Sequence, residues 1–192
     1  MEDKNTNHRG HVSTHELKEE LSGKLISSTS LVYELAKYVV AAIVLILTVH
    51  SLFLTIKIIS GPSMLPNFIS DSYVALDRRN WISYERGDVV ILKYPGDPTN
   101  VQYIKRIVAL PGEYVEIKGG SVYINDQVIK EPYLPIGLQT FPDVPRKMIK
   151  ENEYFTLGDN RGVSNDSRFF GTVHRRYIIG KVISVVFEPP QE

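Results

Sequence analysis

The pattern of apolar and polar positions changes character at about residue 59. Before that point, Val39 to Ile56 reads VVAAIVLILTVHSLFLTI, eighteen residues without a Lys, Arg, Asp or Glu. With its apolar flanks this run reaches the ~20 residues that a helix needs to cross a hydrocarbon core. Thr48, His50 and Ser51 form a stripe too thin for the polar face of an ordinary core helix. Lys37 and Lys57 bracket the run as interfacial anchors. The expected element is a transmembrane signal-anchor helix over 31–58, uncleaved because no small-x-small site follows it. Lys24 and Lys37 ahead of the span lean towards a cytoplasmic amino terminus, which puts residues 59–192 on the extracytoplasmic face of the cell membrane.

After the span the period shortens to two. Tyr73–Asp77, Asp88–Lys93, Val101–Leu110, Tyr114–Lys118, Ser121–Asn125, Tyr154–Leu157 and Lys181–Phe187 are short and rich in β-branched and aromatic residues. Gly, Pro, Asn or Asp bound them, which is the pattern of strands. Lys118-Gly119-Gly120-Ser121 reads as a hairpin turn between two of them. Glu131–Lys150, with Pro132, Pro135, Pro142 and Pro145, reads as a connection wandering over the surface. No soluble helix is predicted. The fold class is mostly β: one amino-terminal transmembrane helix, then a compact all-β domain over 59–192 with a small hairpin insertion around 113–152. Residues 1–30 are polar and aperiodic and read as a disordered cytoplasmic tail. Their His8, His11 and His15 lack a fixed acidic or cysteine partner, so no metal site is predicted.

Composition narrows the chemistry. Lys and Arg number 22 against 22 Asp and Glu, so there is no basic footprint for nucleic acid. Cysteine is absent, which removes disulfides, thiol catalysis and cysteine-ligated zinc.

Three clusters carry candidate chemistry. Ser60-Gly61-Pro62-Ser63-Met64-Leu65-Pro66 lies just past the apolar run; Ser63 is a candidate nucleophile, or part of a turn leaving the membrane. Lys105 sits in Gln102-Tyr103-Ile104-Lys105-Arg106-Ile107-Val108, among apolar neighbours. Desolvation disfavours an ammonium and can turn a lysine into a usable base. An edge-strand lysine that blunts aggregation is the alternative for the same residue. Gly158 to Arg168 is denser in Asp, Asn, Ser and Arg than a turn requires. Such a loop can supply a hydroxyl to orient an amine and carboxylate–guanidinium pairs to stiffen itself. Its arginines and its lack of a terminal Glu argue against calcium. His174, in a run with Arg175 and Arg176, reads as a solvated basic segment. From Ile56 to Ser63 the chain spans at most ~25 Å, so Ser63 stays near the bilayer surface.

Together with Tyr84-Glu85-Arg86-Gly87-Asp88-Val89-Val90, these clusters resemble the ordered motifs of type I signal peptidases, the membrane-bound Ser-Lys proteases that remove secretory signal peptides. The resemblance runs over most of 35–187 and fits the bacterial and organellar branch. It implies a nucleophile at Ser63, a general base at Lys105 and a serine at Ser164 that hydrogen-bonds the lysine. It also implies structural pairs of Asp159 with Arg106 and Asp166 with Arg168, and apolar pockets lined by Ile59, Met64, Tyr103 and Ile104 that select small side chains. Ordinary β-domain core is the alternative for those four. The implied partners are secretory preproteins and membrane lipid, with no metal or cofactor. The sequence departs from the family pattern twice. Gly61 stands where some members place an oxyanion-binding serine, which leaves the Ser63 N–H as the one assignable donor because Pro62 has none. Asn67 stands where the family usually has Thr. Trp81, Ile82 and Tyr84 are candidates for contact with headgroups. A self-cleaving repressor of related fold would carry a DNA-binding helix pair and no span. A non-catalytic binding module would be expected to lose Ser63 or Lys105, and both are present.

Overall fold

The structure is a computed structural model that describes residues 32–48, 51, 53–79, 81–94 and 101–190. The polar tail, its three histidines and His50 lie outside the described residues. The chain divides into two units, Met1–His50 and Ser51–Glu192. In the first, residues 32–48 form a helix, α1, with every position exposed. Lys37 pairs with Glu34 one turn back at 2.6 Å, and the Thr48 hydroxyl donates to the Val44 carbonyl at 2.8 Å. That back-bond satisfies the one hydroxyl within the apolar stretch of α1.

The expected helix over 31–58 is not continuous. Leu54–Ile58 is a strand, β1, paired antiparallel with β2 (Tyr73–Asp77). β-Branched Thr55, Ile56 and Ile58 suit a pleated strand, and the ladder to β2 satisfies the backbone there as a helix would have done. Among the described residues no helix is long and apolar enough to cross a membrane.

The second unit is built on two antiparallel sheets. The larger has seven strands, in the order β1, β2, β11 (Ile178–Phe187), β3 (Val89–Lys93), β4 (Gln102–Ala109), β9 (Glu153–Leu157) and β10 (Val173–His174). The smaller runs β7 (Gln127–Val128), β6 (Ser121–Ile124), β5 (Tyr114–Lys118) and β8 (Val144–Met148). The β5–β6 turn falls on Gly119 and Gly120, both at positive φ, between the paired Lys118 and Ser121. A primed two-residue turn requires that geometry, and glycine adopts it without strain. The mostly β expectation and most strand positions agree with the structure. The exception inside 131–150 is β8, which was read as connection. It contains Pro145, and proline fits a sheet only at an edge, where β8 lies. A single helical turn, α2 (Ser167–Phe170), is also present where no helix was predicted; it is too short to show a period.

Strand β3 is buried on both faces. Val89 and Ile91 join Ile59, Met64, Val74, Leu76 and Ile104 in one core cluster. Val90 and Leu92 join Tyr84, Ile107, Tyr154 and Val173 in a second. A third cluster seats the small sheet on the β4–β9 end of the large one through Val108, Val115, Ile117, Phe155 and Leu157. Tyr84, a candidate for headgroup contact, is therefore core: it is 7% exposed and meets the Tyr154 ring edge-on. Trp81 is exposed and packs edge-on against Phe53 at 5.0 Å.

Phe155 ties the small sheet to β9, and it is almost completely buried. Phe155→Ala should cost about 3–5 kcal/mol of folding free energy, measured by chemical denaturation of the purified chain. A cost under ~1 kcal/mol would show that the small sheet is held by other contacts.

Candidate active site

The chain leaves β1 at Ile58 and turns immediately. Ile59 is buried and donates its N–H to the Ser72 carbonyl at 2.9 Å, which anchors the start of the turn. Met64 is fully buried in the core beneath it. Ser63 sits between these two apolar anchors and is partly exposed. Gly61 supplies a positive φ of 89° in this tight turn, and its N–H donates to the Ser70 hydroxyl.

Lys105 comes from β4, opposite Val90 of β3. It is 0% exposed, among the largest fully buried side chains of the molecule. Its Nζ lies 2.9 Å from Ser63 Oγ and donates a second bond of 2.9 Å to the Ile104 carbonyl. Burial lowers its pKa to about 8, because an ammonium without water is unfavourable. Asp166 and Asp159 nearby push the other way, and Arg168 offsets them in part. A lysine reduced to that pKa is a partly neutral amine at physiological pH, and its lone pair can accept the serine proton.

Strand β9 pairs with β4 and delivers its end, Leu157, opposite Arg106, the residue after Lys105. The loop that follows grips the Ser63 turn. Asn160 donates its backbone N–H to the Ser63 carbonyl at 3.0 Å and its side-chain amide to the Pro62 carbonyl at 3.2 Å. A Cβ on Gly158 would fall 2.5 Å from the Ser63 carbonyl oxygen and nearer still to Ser164 Oγ. Glycine is therefore required there by close approach.

Three ion pairs stiffen this loop. Arg106 meets Asp159 through two bonds of 2.8 and 2.5 Å and donates a third to the Gly87 carbonyl. Arg168 and Asp166 form a second pair, with side chains 1% and 0% exposed; Asp166 also accepts the Gly158 N–H and the Arg168 N–H that begins α2. The third was not anticipated from the sequence. Arg161 is buried, donates to the Gly158 carbonyl and to Thr140 Oγ1, and pairs with Glu131 at 2.6 Å. Glu131 lies about thirty residues upstream in a proline-rich stretch, and no local pattern links the two. Asn67, the departure from the family's threonine, donates to Asp159 Oδ2 at 2.9 Å and to the Tyr133 carbonyl at 2.7 Å. Its amide thus joins the same network.

The resemblance implied a bond from Ser164 to the lysine and left Met64 between pocket lining and core. Ser164 is buried, but its hydroxyl makes no hydrogen bond among the described residues, and the lysine's second contact is the Ile104 carbonyl instead. Met64 lies wholly in the core. Ile59, Tyr103 and Ile104 line a shallow cleft of about 20 Å³ beside Ser60, too small for more than a compact group. His174 belongs to β10, where its Nδ1 accepts the Arg176 N–H.

The family model for signal peptidase, peptidase S26, matches residues 32–187. Signal peptidase I of Bacillus licheniformis is 32% identical over 166 residues, covering 81% of this chain and 88% of that protein. Signal peptidase IB of Staphylococcus aureus strain N315 is 34% identical over 173 residues, covering 78% and 87% respectively. A crystal structure of a signal peptidase I from Enterococcus faecalis V583 aligns at a TM-score of 0.46 and 29% identity, over 54% of this chain and 98% of that one.

Asp166→Asn removes one charge of a fully buried pair and leaves the Arg168 guanidinium uncompensated. It should destabilise the fold by about 3–5 kcal/mol. Denaturant titration at neutral pH measures this, and a loss below ~1 kcal/mol would mean that water reaches Arg168.

Proposed function

The chain belongs to the signal peptidase family, peptidase S26, and is a serine endopeptidase; from that premise we propose that it removes signal peptides from secretory preproteins with Ser63 and Lys105 as its catalytic dyad. The observation that carries this reading is the 2.9 Å contact between Ser63 Oγ and the wholly buried Lys105 amine. In its neutral form that amine takes the hydroxyl proton as Ser63 attacks the scissile carbonyl. The new C–O bond gives a tetrahedral oxyanion, with the Ser63 N–H as one donor to it. Collapse expels the amine of the mature protein, which receives the proton held on Lys105. Water then enters, gives its proton to Lys105 and releases the signal peptide from the acyl-enzyme.

Ser164 has a role in the intermediate state. An amine has two N–H groups, but the ammonium formed during attack has three. Ile104 takes one of them in the resting structure. The buried Ser164 hydroxyl, which has no other hydrogen bond among the described residues, is an acceptor suited to an added proton. The clasp of Asn160 and Gly158 on the turn keeps Ser63 at attacking distance. The small cleft at Ile59, Tyr103 and Ile104 favours small side chains before the cut, since a bulkier group would clash with its floor.

Membrane attachment through a single span, with the amino terminus cytoplasmic and the catalytic domain on the far face, belongs to the same proposal. Two observations support it. Helix α1 is apolar over most of its length and exposed all round. In β1 the order of an ordinary strand is inverted: Leu54, Ile56 and Ile58 are exposed while Thr55 and Lys57 are half-buried. With Tyr73 and Phe187 alongside, these make an apolar edge suited to lipid.

Ser63→Ala and Lys105→Ala should each abolish cleavage of a signal-bearing precursor in detergent, while wild type cuts after a small-x-small site. Cleavage by either variant at the wild-type rate would refute the dyad. Lys105 must be neutral to act, so kcat/KM should rise about tenfold per unit from acid pH and level off above about 8. A profile that levels near pH 6 would point to a different base. Lys105→Met should also stabilise the fold at pH 7 by on the order of 1–3 kcal/mol, because the native state no longer holds a desolvated ammonium. That gain should shrink as pH rises from 8 towards 10.5, where the native lysine is neutral and the unfolded one loses its proton. Gly158→Ala, by displacing the turn, should lower kcat by on the order of 10²-fold.

A further inference from the structure

The connection from β7 to β8 contains a turn, Glu131-Pro132-Tyr133-Leu134, closed by a bond of 3.0 Å from the Leu134 N–H to the Glu131 carbonyl. Pro132 takes the second position, where its fixed φ suits a turn. The turn brings the first and third side chains together, and the Tyr133 hydroxyl donates to Glu131 Oε1 at 2.6 Å. Burial and the neighbouring carboxylate raise the Tyr133 pKa above its ordinary value, so the hydroxyl keeps its proton and remains a donor.

Three contacts leave Tyr133, and each reaches a different part of the site. Its carbonyl accepts the Asn67 side-chain amide at 2.7 Å, and Asn67 belongs to the turn that carries Ser63. Its ring lies against the Arg106 guanidinium, 4.1 Å from the ring centroid, and Arg106 follows Lys105 in β4. Its hydroxyl bonds Glu131, which holds Arg161 through bonds of 2.6 and 3.1 Å. Arg161 in turn donates to the Gly158 carbonyl at 3.0 Å, and Gly158 stands against the Ser63 carbonyl. The turn of Ser63, the strand of Lys105 and the loop that clasps Ser63 therefore all meet at Tyr133.

The chemistry of these contacts suits fixing rather than loose packing. A guanidinium is attracted to an aromatic face, and Arg106 is also held by Asp159 at 2.8 and 2.5 Å, so its plane is fixed from two directions. Asn67 spans the same two partners, with its second bond to Asp159 Oδ2 at 2.9 Å. The Arg161 and Glu131 side chains are 1% and 13% exposed, so water competes little for their pair. Ser63 and Lys105 come from segments 42 residues apart, and a residue bonded to the surroundings of both can set their register.

We propose that Tyr133 is a positioning residue for the Ser63–Lys105 dyad, acting through Asn67, Arg106 and the Glu131–Arg161 pair. The proposal rests on the dyad reading above and adds to it a residue from the connection into the small sheet. Its test is cleavage of a signal-bearing precursor by the full chain in a neutral detergent. The constants kcat and KM and the pH profile are measured for wild type, Ser63→Ala, Tyr133→Leu, Tyr133→Phe and Ile117→Ala, below the melting transitions found in the same detergent. Ile117 is 1% exposed in the core of the small sheet and takes no part in these contacts, so its truncation controls for lost stability alone.

Tyr133→Leu should lower kcat at least about tenfold with KM within about twofold, because a slight misplacement of reacting groups costs rate rather than binding. Its profile should level near pH 8 like that of wild type, since Lys105 stays buried. Tyr133→Phe keeps the ring and the carbonyl and loses one hydrogen bond, so kcat should fall only about threefold. Ile117→Ala should melt earlier than wild type and keep its kcat. The proposal is overturned by wild-type kcat in Tyr133→Leu, by a loss confined to KM, or by an equal loss in Ile117→Ala. It is also overturned if the profile of Tyr133→Leu moves up towards the ordinary lysine pKa far enough to account for the loss, which would mean that water had reached Lys105. If Tyr133→Leu melts below the assay temperature, Tyr133→Phe takes its place under the same criteria, and wild-type kcat there overturns the proposal. Ser63→Ala separates the two failures. Wild-type cleavage by it refutes the dyad and this proposal together, whereas an inactive Ser63→Ala beside a fully active Tyr133→Leu refutes this proposal alone.

Discussion

The constraint on which the rest of the structure depends is the burial of one lysine. Lys105 has no exposure to solvent, and among the described residues its amine hydrogen-bonds Ser63 and the Ile104 carbonyl. Desolvation at such a site lowers the pKa and costs folding free energy for the same reason: the ammonium loses its water. The reactivity of the amine and the instability it introduces are therefore one quantity. The apolar strands on either side are what maintain it. β3 contributes Val90 opposite the lysine and is buried on both faces. A polar residue or a water channel there would restore the ordinary lysine pKa.

This constraint explains the form of the electrostatics around it. A loop rigid enough to hold Ser63 needs strong, directional bonds, and buried carboxylate–guanidinium pairs supply them. Bare carboxylates so close to Lys105 would favour its charged form, as Asp166 and Asp159 do. Arg168 acts on the lysine in the opposite sense to Asp166 and Asp159 and offsets them in part. The paired charges work as nearly neutral fasteners. Arg161 extends the arrangement by binding the Gly158 carbonyl on one side and Glu131 on the other, which ties the loop to the connection leading into the small sheet. Asn67 adds an uncharged donor to Asp159 and so reinforces the network without changing its charge.

Much of this was legible in the chain, and the parts that were not share physical causes. Strands such as β2 and β5 follow from strict alternation between turn residues, and the structure places them where the pattern did. Ser63, Lys105 and the Gly158–Arg168 loop stand out because their residue types are wrong for a plain turn or strand. The Arg161–Glu131 pair was invisible, because it joins segments with no local relation and depends wholly on tertiary approach. β8 was hidden by Pro145, since edge strands need little propensity when a neighbour supplies the ladder. The resting contact of Ser164 was not legible either. A hydroxyl's partner is decided by tenths of an ångström, and sequence spacing carries no such information.

The apolar run shows the same limit from the other side. Composition marks Val39–Ile56 as a single hydrophobic stretch, yet the structure uses it twice: as helix in its first part, through the described residues to 48, and as strand from Leu54. Hydropathy records how much a segment avoids water and not which backbone pairing satisfies its amides. The change is nevertheless encoded, in the shift from Ala, Leu and Val to the alternating Leu54-Thr55-Ile56-Lys57-Ile58. The consequence is geometric. A helix continuing to residue 58 would deliver Ser63 on a few residues of loose chain. A strand instead locks the approach into the sheet: β1 pairs along its whole length with β2, and Ile59 bonds on to Ser72. Ser63 is thereby placed by the same sheet that buries Lys105. A contact of 2.9 Å between two side chains from distant segments can be maintained only if both are fixed to one rigid frame.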